Sequence, residues 1–371
     1  MKKKLISLLL SAALAVSMLT VPAFAAEGGE ADAALDETNE VVVTLGDTVT
    51  ASTVEDTDKA AADKTAADKT ETADSAPAAS TEKKQITYVA LGDSIVAGVG
   101  LADVKYAKDS TTLYSVDMSP NFKGYSPDCY VGKVGTMLGL DRDHAINLGL
   151  PALTAPDLVD MVRDGQMPKM NMESGCWYKY PEFQDYIRKA DVVSVQIGSN
   201  DAFVPCIVAL GNATNWKSEA LAASVLAGDL RASGSPAAAL IQGIKDMHLT
   251  RDERNATWNL LTSEMGKICD RIYPQTTAGL ISVVQEIRKL NPDCQILLMG
   301  YTDPVPFVPC WHNYFKKLNK FEKQLAETYD LTYVAIPKAK TDLDVHPTIS
   351  GHEYIAKKIV NSIELPEDSA Q

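Results

Sequence analysis

From Gln85 onward, short apolar runs of strand length alternate with stretches of helical periodicity, and that alternation constrains this chain more than any other feature. Parallel strands need long crossover connections, normally helices, so the pattern predicts β-α units building one open parallel sheet covered on both faces. Strands are predicted at 86–91, 145–148, 192–197, 295–299 and 331–336, with helices at 130–138, 156–162, 277–290, 314–329 and 349–363. The expected fold class is α/β, a three-layer α/β/α domain around a five-stranded parallel sheet. The interval 203–274 is too long for one crossover and carries helical segments at 221–230 and 255–272, so it reads as an inserted helical cap.

Upstream the composition changes. Lys2, Lys3 and Lys4, the apolar run 5–19 and Ala23-Phe24-Ala25 read as an export signal over residues 1–25. The apolar run is short for the roughly 20 residues a membrane span needs, so no stable span is expected after cleavage and the mature protein is expected outside the cell, secreted. Residues 26–84 read as a disordered acidic linker. Between 27 and 84 stand 15 acids and 5 lysines, with the imperfect repeat Ala62-Asp63-Lys64-Thr65 and Ala67-Asp68-Lys69-Thr70, and such a segment cannot bury a core. The folded domain is then 85–365. The formal net charge of -14 leaves no basic face for a phosphate backbone, and nucleic acid is not an expected partner.

In an open parallel sheet the chemistry sits at the carboxyl ends of the strands. Three such ends carry reactive residue types: Leu91-Gly92-Asp93-Ser94 after the first strand, Ile197-Gly198-Ser199-Asn200-Asp201 after the third, and Asp344-Val345-His346-Pro347 after the last. Each has an ordinary reading as a turn or helix cap. Together they fit acyl transfer: Ser94 as nucleophile, His346 as its base, and the Asn200 side-chain amide with the Ser94 backbone N–H as donors to an oxyanion. No Gly-x-Ser-x-Gly elbow, phosphate-cradling glycine loop, His-Glu-x-x-His or Cys-x-x-Cys occurs, so neither a cofactor nor a metal is called for.

These blocks resemble those of the SGNH, or GDSL-type, esterases and lipases. The resemblance runs from Ile86 to Ile363 and rests on Tyr88-Val89-Ala90-Leu91-Gly92-Asp93-Ser94, on Ser194-Val195-Gln196-Ile197-Gly198-Ser199-Asn200-Asp201, and on His346-Pro347-Thr348 with Gly351-His352. It implies a flavodoxin-like fold and a carboxylic ester hydrolase acting on small-molecule or lipid esters. Two positions depart from the family pattern. Where an oxyanion-hole glycine is expected after Asn147, this chain has Ala152, with Gly149 as second choice; the donor there is a backbone N–H, which alanine retains. The family's acid stands three before the histidine, where this chain has Leu343, so Asp344 or Asp342 must support His346 if anything does; Asp344 is preferred. Within the enzyme class a carbohydrate O-acetyl esterase is the alternative, and outside it a catalytically silent surface-binding module on the same fold.

Six cysteines in an exported chain permit three disulfides in 15 pairings. Cys206 and Cys310, which follow the third and fourth strands, are the expected bridge, and Cys129 with Cys176 a weaker second pair. Met167, Met170, Met172, Trp177, Tyr178, Tyr180 and Phe183, and the cluster Pro304, Phe307, Val308, Trp311, Tyr314 and Phe315, are read as apolar walls for an acyl chain or as core under the cap.

Overall fold

The computed structural model describes residues 85–101, 104, 122–226, 234–306, 308–342 and 345–364. The expected export signal, the acidic linker, Phe307 and Asp344 lie outside these residues.

In chain order the elements are β1 (Tyr88–Gly92), α1 (Ser94–Ala97), α2 (Tyr130–Leu138), β2 (Ala145–Gly149), α3 (Ala155–Asp164), α4 (Phe183–Arg188) and β3 (Val192–Gln196). After them come α5 (Ser199–Ala213), α6 (Glu219–Leu226), α7 (Pro236–Asp246), α8 (Arg251–Asn259), a π-helical turn at Leu260–Glu264, and α9 (Met265–Leu290). The chain closes with β4 (Gln295–Met299), α10 (Pro309–Tyr329), β5 (Thr332–Val334) and α11 (Ile349–Val360).

All five strands are parallel, in the order β2-β1-β3-β4-β5. The chain leaves β1 toward one edge and returns to β3 on the other side, so crossovers diverge around β1, the kind of switch point where open sheets form a crevice. The register pairs Gly92 with both Gly149 and Gln196, so β1, β2 and β3 end flush. Side chains of β1 alternate between two cores. Val89 and Leu91 face the layer of α3, α4, α5, α9 and α10, whereas Tyr88 and Ala90 face α2 and α11. Burial on both faces is why the strands read as continuous apolar runs.

The expected insertion differs in one respect. Its boundary residues lie inside helices, Phe203 in α5 and Pro274 in α9, so the inserted helices continue domain helices and do not begin after a break. Proline inside a helix costs about 3 kcal/mol. Around Pro274 the buried residues Cys269, Thr276, Gly279, Leu280 and Val283 hold the helix against the core, and that packing outweighs the break signal.

Candidate active site

The segments of Ser94 and Asn200 start where β1 and β3 stop, and that of His346 lies farther along, in the loop before α11. At the end of β1, Gly92 has φ +153, and a Cβ there would stand 2.0 Å from the Gln196 carbonyl oxygen, so only glycine lets the chain turn this close to β3. Asp93 then caps α1, its Oδ1 accepting the Ile95 N–H at 2.9 Å. Ser94 opens the helix, half-buried. Its Oγ lies 2.9 Å from His346 Nε2.

His346 sits in the loop between β5 and α11. The Asp342 N–H donates to the His346 carbonyl at 2.9 Å, the Val345 N–H donates to the Asp342 carbonyl at 3.0 Å, and the Thr348 N–H donates to the Lys340 carbonyl at 2.9 Å, closing a tight turn. Val345, immediately before the histidine, has φ +62, a left-handed conformation uncommon for a β-branched residue. The backbone of Asp342 is thus part of this turn, and Asp344 lies outside the described residues.

Asn200 occupies the first turn of α5, and its Nδ2 donates to the Leu153 carbonyl at 2.9 Å. An amide nitrogen carries two hydrogens, so one remains for a ligand. The loop that Asn200 holds is also clipped at its start, where the Leu150 N–H donates to the Gly92 carbonyl at 2.9 Å. Between these clips stands Ala152 at φ +61, half-buried. The backbone N–H groups of Ser94 and Ala152 have no hydrogen-bond partner among the described residues. The Gly149 N–H is engaged, donating to Asn147 Oδ1 at 2.9 Å. Asn147 Nδ2 in turn holds the Val96 carbonyl at 2.8 Å, fixing the turn behind Ser94.

A buried carboxyl ties the segments together. Asp93 Oδ2 accepts from Ser199 Oγ at 2.6 Å and from the Tyr301 hydroxyl at 3.0 Å. Burial pushes its pKa up, and the three hydrogen bonds it receives pull the other way. Asp201 is also buried and accepts the Ala155 N–H at 2.9 Å, holding the start of α3, where Thr154 and Asp157 form a capping box. Burial raises Asp201 to about 7.

Tyr301, Asp201 and His352 were not singled out by sequence. Asp201 stands within a quoted block and Tyr301 just after β4, yet their partners lie 46 and 208 residues away and leave no local signal. His352 is fully buried, its Nδ1 accepts the Tyr130 N–H at 3.2 Å, and burial drives its pKa down to about 3. It is a neutral acceptor at the start of α2. His144 and His312 pair with Asp141 and Asp303 at 2.6 and 2.8 Å on the surface. Among the described residues no group of three or more His, Cys, Asp or Glu is placed to hold a metal ion.

The aromatic segments divide. Trp311, Tyr314 and Phe315 are core, as are Met167, Tyr178 and Phe183, while Met170, Met172 and Trp177 are exposed. The loop carrying the exposed three is fastened beside Ala152, since the Tyr178 hydroxyl donates to the Pro151 carbonyl at 2.8 Å. No disulfide joins the six cysteines in this structure. Cys129 and Cys176 belong to cores on opposite faces of the sheet, which separates that expected pair. Of the expected pair Cys206 and Cys310, each neighbours Cys269.

A profile of the GDSL-like Lipase/Acylhydrolase family matches residues 90–354. The chain belongs to this family. Its members are hydrolases acting on esters, and the α/β fold found here is theirs. No curated protein sequence matches this chain. Similar solved structures include a phospholipase A1 from Streptomyces albidoflavus NA297, at 15% identity over 76% of this chain and 100% of that one with a TM-score of 0.41. An extracellular lipase from Streptomyces rimosus shows 14% identity over 75% and 100% with a TM-score of 0.43. A catalytic mutant of an acetylxylan esterase from Geobacillus stearothermophilus shows 18% identity over 76% and 98% with a TM-score of 0.35.

Proposed function

We propose that this GDSL-family chain is an exported serine esterase that cleaves lipid or small acyl esters through an acyl-enzyme. The observation that carries the reading is the 2.9 Å contact between Ser94 Oγ and His346 Nε2 at the flush ends of the central strands. Ser94 Oγ attacks the ester carbonyl carbon while its proton passes to His346 Nε2. The N–H groups of Ser94 and Ala152 and the second hydrogen of the Asn200 amide serve the oxyanion. The tetrahedral centre collapses, the alcohol leaves with the proton from His346, and water, deprotonated by the same nitrogen, releases the acid and restores Ser94. Asp344 or Asp342 orients the imidazole. Exposed Met170 and Met172 beside Trp177 favour an acyl chain over a sugar as the group held next to the oxyanion turn. Export rests on the leader at residues 1–25, and no described helix is long and apolar enough to cross a membrane.

The test is hydrolysis of p-nitrophenyl acetate, butyrate and laurate by the protein beside Ser94→Ala. The expected result is loss of about 10⁴-fold or more in kcat for the variant, with the longer chains turned over by the unmodified protein. Equal background rates for both proteins would overturn the serine mechanism, and activity confined to acetyl esters would move the substrate to acetylated glycans.

A further inference from the structure

Away from the candidate site, three cysteines from three helices meet. Cys206 on α5 is fully buried, Cys269 lies in the second turn of α9, and Cys310 is the second residue of α10. The Cys269 thiol neighbours both Cys206 and Cys310. The other three cysteines have no such neighbour: Cys129 touches Asn147, Cys176 touches Ser174, and Cys294 touches the Asn291 carbonyl. The clustered thiols are not disposed to share a metal ion.

Access to the cluster is one-sided. A pocket of about 330 Å³ between α9 and α10 is lined by both Cys269 and Cys310, and Cys310 is partly exposed there. Lys317 on its α10 wall is paired with Asp270 of the α9 wall at 2.7 Å, while Lys316 and Lys320 stand exposed without a carboxylate in the lining to match them, a net positive balance that favours an anionic reagent.

We propose that Cys269 and Cys310 are a thiol–disulfide exchange site that takes a small anionic disulfide, or the disulfide of an oxidoreductase, and closes into a Cys269–Cys310 bridge while Cys206 stays a thiol. The steps balance without another reactant. Cys310, deprotonated, attacks one sulfur of the incoming R–S–S–R, forming a mixed disulfide and expelling one thiolate. Cys269, deprotonated, then attacks the Cys310 sulfur and expels the second. The two cysteines are oxidised, the reagent is reduced to two R–SH, and the two thiol protons end on those products.

The bridge would join the second turn of α9, where the inserted helices return to the domain, to the first turn of α10. Both thiols are pushed up from their ordinary range, Cys269 first by the neighbouring Cys206 thiol and Cys310 first by the neighbouring Cys269 thiol. A dithiol that gains nothing from thiolate formation leaves its disulfide hard to reduce, so exchange is slow at neutral pH and the closed bridge persists. The inference is independent of the reading of Ser94.

The full chain is incubated with oxidised glutathione at pH 8, free thiols are alkylated in denaturant without reductant, and the digest is read by mass spectrometry. The expected result is a peptide pair linked through Cys269 and Cys310, with Cys129, Cys176, Cys206 and Cys294 alkylated, and the same pair in Cys206→Ser. Alkylation of both Cys269 and Cys310 would overturn the proposal. So would a bridge from either of them to another cysteine, or loss of the pair in Cys206→Ser.

Discussion

Ser199 donates its hydroxyl to the Asp93 carboxyl at 2.6 Å, so the residue before Ser94 and the residue before Asn200 share one buried hydrogen bond. Two candidate groups delivered by different strands are thereby held at a fixed spacing. Replacing Ser199 by alanine leaves the carboxyl with two donors, Ile95 N–H and the Tyr301 hydroxyl. A buried acceptor that loses a partner costs about 1–3 kcal/mol, and urea unfolding of Ser199→Ala should show a loss in that range. Ester turnover should fall with it, because Ser94 and Asn200 lose their common brace.

Asn200→Ala removes both a proposed oxyanion donor and the clip on Leu153. A missing donor of this kind lowers kcat by about 100- to 1,000-fold. Steady-state kinetics should place the loss in kcat and leave KM within a few fold, since the group acts on charge that develops during the reaction. A change confined to KM would assign Asn200 to substrate binding.

Ala152 holds a left-handed conformation at φ +61, which costs an L residue about 1–2 kcal/mol. Glycine adopts it freely, so Ala152→Gly should keep esterase activity and raise stability by up to about 1 kcal/mol, the relief being partly offset by glycine's greater freedom in the unfolded chain. Thermal unfolding reads the stability change.

Asp201 ties stability to pH. Burial pushes its carboxyl up to about 7 from the ordinary carboxylate value of 3.8. The folded state therefore holds more protons across that window, and the stability Asp201 contributes is complete below about pH 4 and lost as pH rises through about 7. Asp201→Asn keeps an acceptor for the Ala155 N–H and should flatten the fall in urea midpoint between pH 5 and 8. Part of the slope should persist, because buried Glu322, with neither carboxyl oxygen hydrogen-bonded among the described residues, is shifted in the same direction by desolvation.

Much of the domain was legible because its strands are buried on both faces and bounded by turn residues. Val192–Gln196 and Gln295–Met299 read as strands for that reason. Ser94 and Asn200 were legible because each follows such a strand in the chain, whereas His346, after the short half-buried edge strand Thr332–Val334, was legible from the residues around it. Other features depend on neighbours that sequence does not place. Tyr301 gives no sign that its hydroxyl meets Asp93, the handedness at Ala152 is imposed by clips at Gly92 and Asn200, and Cys269, in the second turn of α9, carries no mark of the two thiols beside it. Pro274 signalled a break that packing overrode.

His346 reaches Ser94 across 252 residues of chain, from a loop that follows the edge strand β5 and precedes α11, and α11 shares a core with α2 on the far side of the sheet. With strands about 4.8 Å apart, that loop has to cross back over β4 and β3 to meet the turn after β1. The proposed base for Ser94 thus follows all five strands in the chain. A growing chain can lay down all five strands and still lack the imidazole that the proposed mechanism needs beside Ser94.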